Sequence, residues 1–142
     1  MKRTATAVWR GPVKFGSGIV STETGALKEA SYSWHSRFAE GTGTNPEELL
    51  AAAHAGCFSM KLSGLLTEAG FPPDKIETTA AVEMKDNLIV ASHLTVKAEV
   101  PGVSEHIFQQ SAEDAKLNCP MSKALAIEVT LKAELVSTHV ET

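Results

Sequence analysis

Two cysteines, Cys57 and Cys119, are the residues of this chain whose type could carry covalent chemistry. They have no metal-ligand spacing, and in a reducing compartment two thiols mean either inert packing or redox work. Redox work needs a thiolate, and an unperturbed cysteine with a pKa near 8.5 is only about 3% ionised at pH 7. A local cation must therefore act on one of them. Lowering a pKa by about 2.5 units takes about 3.4 kcal/mol, and a full charge at 4 Å supplies about 4 kcal/mol at an effective dielectric of 20. Arg37 is the best candidate, at the mouth of a Gly-rich loop, whereas Arg3 and Arg10 lie on an alternating strand that turns them outward. Lys61, one turn from Cys57, is the alternative.

Three further residues bear on the site. Glu47 and Glu48 serve as helix cap and dipole partners, and a carboxylate there can also hold a guanidinium in a fixed bidentate orientation. His54, one turn before Cys57, invites a Cys-His nucleophile. No orienting third group accompanies it, so it is expected as a surface or interface histidine.

The element that must position Cys57 is a long helix. Asn45 is an N-cap, Pro46 suits the first helical position, and Glu48 stands where its carboxylate can reach back to the cap amide. From Leu49 to Gly70 nearly every position is apolar or small, and Glu47, His54, Lys61 and Glu68 form one polar line at heptad spacing. Such a helix is buried. Gly70 followed by Phe71-Pro72-Pro73 ends it. Its many small residues, Gly56 and Gly64 among them, call for a close backbone neighbour, with a second copy of the helix as one choice. A second helix opens at Ser104, and Phe108, Ala112, Ala115 and Cys119 recur at steps of four, three and four, which points Cys119 inward.

Strands account for the rest. Thr4 to Arg10, Gly18 to Thr22 and Ala30 to Ser36 read as an antiparallel meander. Ile76 to Lys85 and Leu88 to Val100, joined by Asp86-Asn87, read as a hairpin, and Ile127 to Leu135 as a last strand. The expected architecture is α+β in one domain over 1–142, with antiparallel sheets packed on a long buried central helix and a second helix. The 142 residues are 43% hydrophobic and 21% charged, which suffices for a core without staples. A net charge of -4, with both signs interspersed, argues against nucleic-acid and anionic-membrane surfaces. No stretch reads as a signal peptide or membrane span, so the expected location is cytoplasmic.

Ten residues of continuous helix put Glu47 and Cys57 about 15 Å apart. A shared site therefore implies a homodimer in which one subunit's loop and helix start face the other's cysteines.

The run Gly43-Thr44-Asn45-Pro46-Glu47-Glu48-Leu49-Leu50, with Ala52-Ala53-His54-Ala55-Gly56-Cys57-Phe58-Ser59-Met60, Asn118-Cys119-Pro120-Met121-Ser122 and Val20-Ser21-Thr22-Glu23-Thr24-Gly25, resembles the OsmC/Ohr family of thiol peroxidases. His54 and Glu48 favour the OsmC branch, since the Ohr branch usually carries tyrosine and glutamine there and takes its arginine from a more N-terminal place. The resemblance implies an intertwined homodimer that reduces organic hydroperoxides. By position Cys57 matches the peroxidatic cysteine, Cys119 the resolving cysteine, Glu47 the glutamate and Arg37 the arginine. It implies no metal or bound cofactor, and an external dithiol reductant of lipoyl type. The rivals are a non-catalytic homodimer of the same fold that binds an apolar ligand, and a hydrolase using His54 and Cys57.

Overall fold

The computed structural model describes residues 1–38 and 42–136, the side chains of 37 and 38 excepted. The chain divides into two compact units, Met1–Leu49 and Leu50–Thr142. In the first, β1 (Ala5–Arg10), β2 (Ser17–Thr22) and β3 (Ala30–Tyr32) pair antiparallel in that order, as the alternating sequence predicts. Gly18 sits where the Trp9 and Tyr32 rings close over the sheet; a Cβ there would come within 2.5 Å of Tyr32 and 2.7 Å of Trp9.

The third strand is shorter than its sequence suggests. It stops at Tyr32 because Ser33 and Ser36 cap a short helix, α1 (Trp34–Phe38), reciprocally. The Ser36 N–H donates to Ser33 Oγ at 3.2 Å and the Ser33 N–H to Ser36 Oγ at 2.6 Å.

The long helix α2 (Pro46–Glu68) starts and stops where expected. The Glu48 N–H donates to Asn45 Oδ1 at 2.7 Å, and the Asn45 side-chain amide donates to the Ser36 carbonyl at 2.9 Å. Glu48 does not close a capping box; its carboxylate accepts from the Thr44 hydroxyl at 2.8 Å. At the other end Gly70 has φ 96°, its N–H reaches Thr67 O at 3.0 Å, and the Phe71 N–H reaches Leu66 O at 2.8 Å, a Schellman closure.

In the second unit β4 (Lys75–Lys85) and β5 (Leu88–Glu99) form the expected hairpin. Asp86 and Asn87 have φ 53° and 64°, as a two-residue type I′ turn requires. Next come α3 (Glu105–Asn118), capped by the Ser104 hydroxyl, and α4 (Pro120–Ala124). The last strand, β6 (Glu128–Leu135), joins β5 in parallel, so this sheet is mixed where purely antiparallel pairing is expected. The helical crossover through α3 and α4 makes this possible, because parallel neighbours need a long connection.

The core of this unit joins Phe58, Leu62 and Leu66 of α2 to Leu94, Val96 and Ala98 of β5 and to Phe108, Ala112 and Ala115 of α3. The α2 helix therefore buries one stripe and not its whole surface. Ala52, Gly56, Met60 and Gly64 are exposed, and nothing described lies within 4 Å of where a Cβ would stand at Gly56 or Gly64. The close neighbour expected there is not found within the described chain. Contrary to the sequence reading, α2 is long and apolar enough by composition to cross a membrane, although its His54 to Leu66 stripe packs as a core helix does.

Leu62 has no exposed surface. Leu62→Ala is expected to lower the unfolding free energy by about 2–5 kcal/mol, read as a lower denaturant midpoint at unchanged slope. A loss below about 1 kcal/mol would contradict this core assignment.

Candidate functional site

Cys57 and Cys119 are brought together. Cys57 is half-buried in the middle of α2, and Cys119 is fully buried at the corner between α3 and α4. The corner is built by Cys119 itself. Its backbone N–H ends α3 on Ala115 O, its extended backbone (φ -65°, ψ 139°) turns the chain, and its sulfur caps α4 by accepting the Ser122 N–H at 3.3 Å. Pro120 follows in the first helical position, where it loses no hydrogen bond. The inward stripe read from the sequence thus holds. The two cysteines lie 3.9 Å apart as free thiols, whereas a disulfide needs its sulfurs about 2.05 Å apart.

The surroundings of Cys57 oppose its ionisation. Burial pushes the thiol upward, the Met121 N–H donated to the sulfur pulls it down, and the neighbouring Cys119 pushes it up again; the net direction is up. Lys61 makes no contribution among these causes, so the alternative cation of the sequence reading is not supported. Arg37 falls in α1, and its side chain lies outside the described residues. Glu47 is buried in the first turn of α2, and Glu48 is exposed beside it. Since α2 is unbroken from Pro46 to Glu68, Glu47 and Cys57 stand about 15 Å apart along its axis.

His54 overturns the expectation of a surface or interface histidine. It has no exposed surface, because it heads the stripe that continues four residues at a time through Phe58, Leu62 and Leu66. Both ring nitrogens are taken: Nδ1 meets Ser92 Oγ at 2.7 Å and Nε2 meets Ser122 Oγ at 2.8 Å. Ser122 Oγ in turn lies 3.1 Å from Cys119 Sγ. The histidine therefore connects with Cys119 through a hydroxyl, and two serines that the sequence did not reveal orient its ring. Sequence reasoning missed both. The available signal was Ser92 on the inward, apolar face of its strand, since a buried hydroxyl requires a partner. Burial holds the His54 ring below the ordinary histidine value, which keeps it neutral at pH 7.

In the first unit, Val8, Arg10, Gly18, Ile19, Ser31 and Tyr32 line an open groove of about 430 Å³. Every residue of β1 is exposed, so the alternation expected to turn Arg10 outward separates no buried face from a wet one. Among the described residues, no three His, Cys, Asp or Glu side chains converge as a metal set.

Residues 39–134 match the family model of the OsmC-like proteins. The chain is 45% identical over 135 residues to peroxiredoxin OsmC of Escherichia coli strain K12, covering 92% of this chain and 94% of that one. It is 33% identical over 104 residues to organic hydroperoxide resistance protein-like 1 of Staphylococcus epidermidis, with 69% and 74% covered. The crystal structure of the organic hydroperoxide resistance protein OhrB of Bacillus subtilis superposes with a TM-score of 0.64 at 27% identity, over 94% of this chain and 98% of that one.

The buried imidazole makes stability depend on pH. Its folded pKa lies below the ordinary 6.5, so the stability linked to its neutral form is complete above that value and is lost as pH falls through the lowered one. Denaturant midpoints measured from about pH 7 down to about pH 5 should fall more steeply for the wild type than for His54→Gln. Equal slopes would contradict a buried neutral imidazole.

Proposed function

The chain belongs to the OsmC-like protein family, and from that premise we propose that it is a thiol-dependent peroxidase that reduces organic hydroperoxides to alcohols in defence against oxidative stress. The observation that carries this reading is the pair of free thiols 3.9 Å apart, one half-buried and reachable, the other fully buried behind it. The Cys57 thiolate attacks the outer peroxide oxygen, and the O–O bond breaks. An alkoxide leaves and becomes the alcohol with the proton that the Cys57 thiol gave up on ionising, and Cys57 becomes a sulfenic acid. Cys119 condenses with it to a disulfide and releases water. An external dithiol, of lipoyl type, then reduces the disulfide by exchange. The reaction asks for no metal or bound cofactor, and a cytoplasmic location suits a disulfide that must be reduced each turn.

The upward push on Cys57 gives the arginine its purpose. Arg37 stabilises the thiolate and the charge developing in the transition state, and Glu47 holds the guanidinium in place. The long axial separation of Glu47 and Cys57 supports reading this pair as the partner subunit's contribution in a homodimer. The open stripe Ala52, Gly56, Met60 and Gly64 and the exposed β1 sheet supply surface for that association. A second reading, a non-catalytic dimer that binds an apolar ligand, draws support from the same upward-shifted Cys57 thiol. The hydrolase reading loses its direct Cys57-His54 pair, because both nitrogens of His54 face serines and neither faces Cys57.

One equivalent of cumene hydroperoxide added to the reduced protein should consume both thiols as an intramolecular disulfide, and Cys119→Ser should yield a Cys57 sulfenic acid that dimedone traps. Survival of both thiols would bring the apolar-ligand reading forward. Arg37→Ala is expected to slow alcohol formation by about 100-fold or more, read in single-turnover kinetics. Gly64→Arg raises helix propensity by about 1 kcal/mol in an isolated chain. It should nonetheless split the dimer in sedimentation and abolish rapid alcohol formation.

A further inference from the structure

Closing the disulfide requires Cys119 to lose a proton inside the protein. The attacking species in such a condensation is the thiolate, and Cys119 has no exposed surface from which water could take the proton. Among the described residues, a hydrogen-bonded route leads from its sulfur to an imidazole. Cys119 Sγ lies 3.1 Å from Ser122 Oγ, Ser122 Oγ lies 2.8 Å from His54 Nε2, and His54 Nδ1 lies 2.7 Å from Ser92 Oγ. Four side chains from three stretches of the second unit form this row. His54 and Ser92 in it have no exposed surface.

We propose that Ser122 takes the proton of Cys119 during disulfide formation and passes its own hydroxyl proton to His54 Nε2, with Ser92 fixing the ring. The inference rests on the peroxidase reading above and names the residues of its second step. The donors run in one sense: the Cys119 S–H donates to Ser122 Oγ, the Ser122 O–H donates to His54 Nε2, and the His54 Nδ1–H donates to Ser92 Oγ. Burial keeps the ring neutral at the start of the step, so Nε2 carries no proton, and the same burial disfavours the imidazolium, so the ring holds the proton only in passing.

The step balances without an outside reagent. The Cys119 sulfur bonds to the Cys57 sulfur, the Cys57 S–O bond breaks, and the hydroxide that leaves becomes water as His54 hands the proton back through Ser122, which restores the row. Cys119 is oxidised and the sulfenic sulfur is reduced. Once the proton has moved, the Ser122 hydroxyl and the Ser122 backbone N–H, which stands 3.3 Å from Cys119 Sγ, both donate to the sulfur while it carries charge. Ser122 touches the reacting sulfur and is the catalytic member. His54 and Ser92 act through it as positioning residues.

A single-turnover experiment separates the steps. Reduced protein is mixed with one equivalent of cumene hydroperoxide; cumyl alcohol reports the first step, and loss of the Cys119 thiol in quenched samples reports the second. In Ser122→Ala the second step should slow by about 10- to 100-fold relative to the first, and dimedone should then trap a Cys57 sulfenic acid with Cys119 still present. His54→Gln should shift the ratio in the same direction, and Ser122→Thr, which keeps a hydroxyl, should restore it. A damaged fold would slow both steps and would not be rescued by threonine. An unchanged ratio in both Ser122→Ala and His54→Gln overturns the proposal. A wild-type protein that makes no cumyl alcohol overturns the peroxidase reading itself, and it does so before any variant is compared.

Discussion

A thiol asked to ionise near neutral pH sits where its own chain resists ionisation. Burial and the neighbouring sulfur both push Cys57 upward, against a single Met121 N–H. Much of the rest follows from this opposition. The thiol lies about three turns into α2, beyond the reach of a helix dipole that fades within its first turn. A cation supplied from elsewhere can reverse the balance, and the proposed arrangement supplies it from a second copy of the chain. An unassembled chain would then hold its cysteine in the unreactive form, and association would bring activity with it.

The corner between α3 and α4 shows how few residues such a site needs. Cys119 closes one helix, turns the chain and caps the next, so its sulfur is fixed by backbone geometry before any chemistry is asked of it. The same turn delivers the Met121 N–H to Cys57 and the Ser122 N–H and hydroxyl to Cys119. One tight turn thus addresses both sulfurs. The stripe of α2 that anchors Phe58, Leu62 and Leu66 in the core also holds His54, so the proposed proton route is built on a core-packed residue.

Elements with strong periodicity or strong punctuation were legible in the sequence. The cap at Asn45, the stop at Gly70, the Asp86-Asn87 hairpin and the inward position of Cys119 all appear as read, because each depends on a few adjacent residues. What was not legible depends on distant partners. Alternation in Glu128–Leu135 marks a strand and says nothing of its direction, which the helical crossover sets. Ala30 to Ser36 alternates well enough for a strand, yet two serine hydroxyls close a helical turn over its second half. His54 shares heptad spacing with Glu47, Lys61 and Glu68 and four-residue spacing with Phe58 and Leu62. The second pattern governs, because Ser92 and Ser122, far away in sequence, satisfy its ring in the core.

The central claim is that assembly turns Cys57 into a thiolate despite its own surroundings. The most direct measurement is the pH titration of the Cys57 thiolate by its ultraviolet absorbance, in Cys119→Ser protein with and without the additional Arg37→Ala change. The account predicts a midpoint below pH 7 with Arg37 present and one above the ordinary thiol value of about 8.5 without it. A midpoint above about 8.5 in both proteins would contradict it.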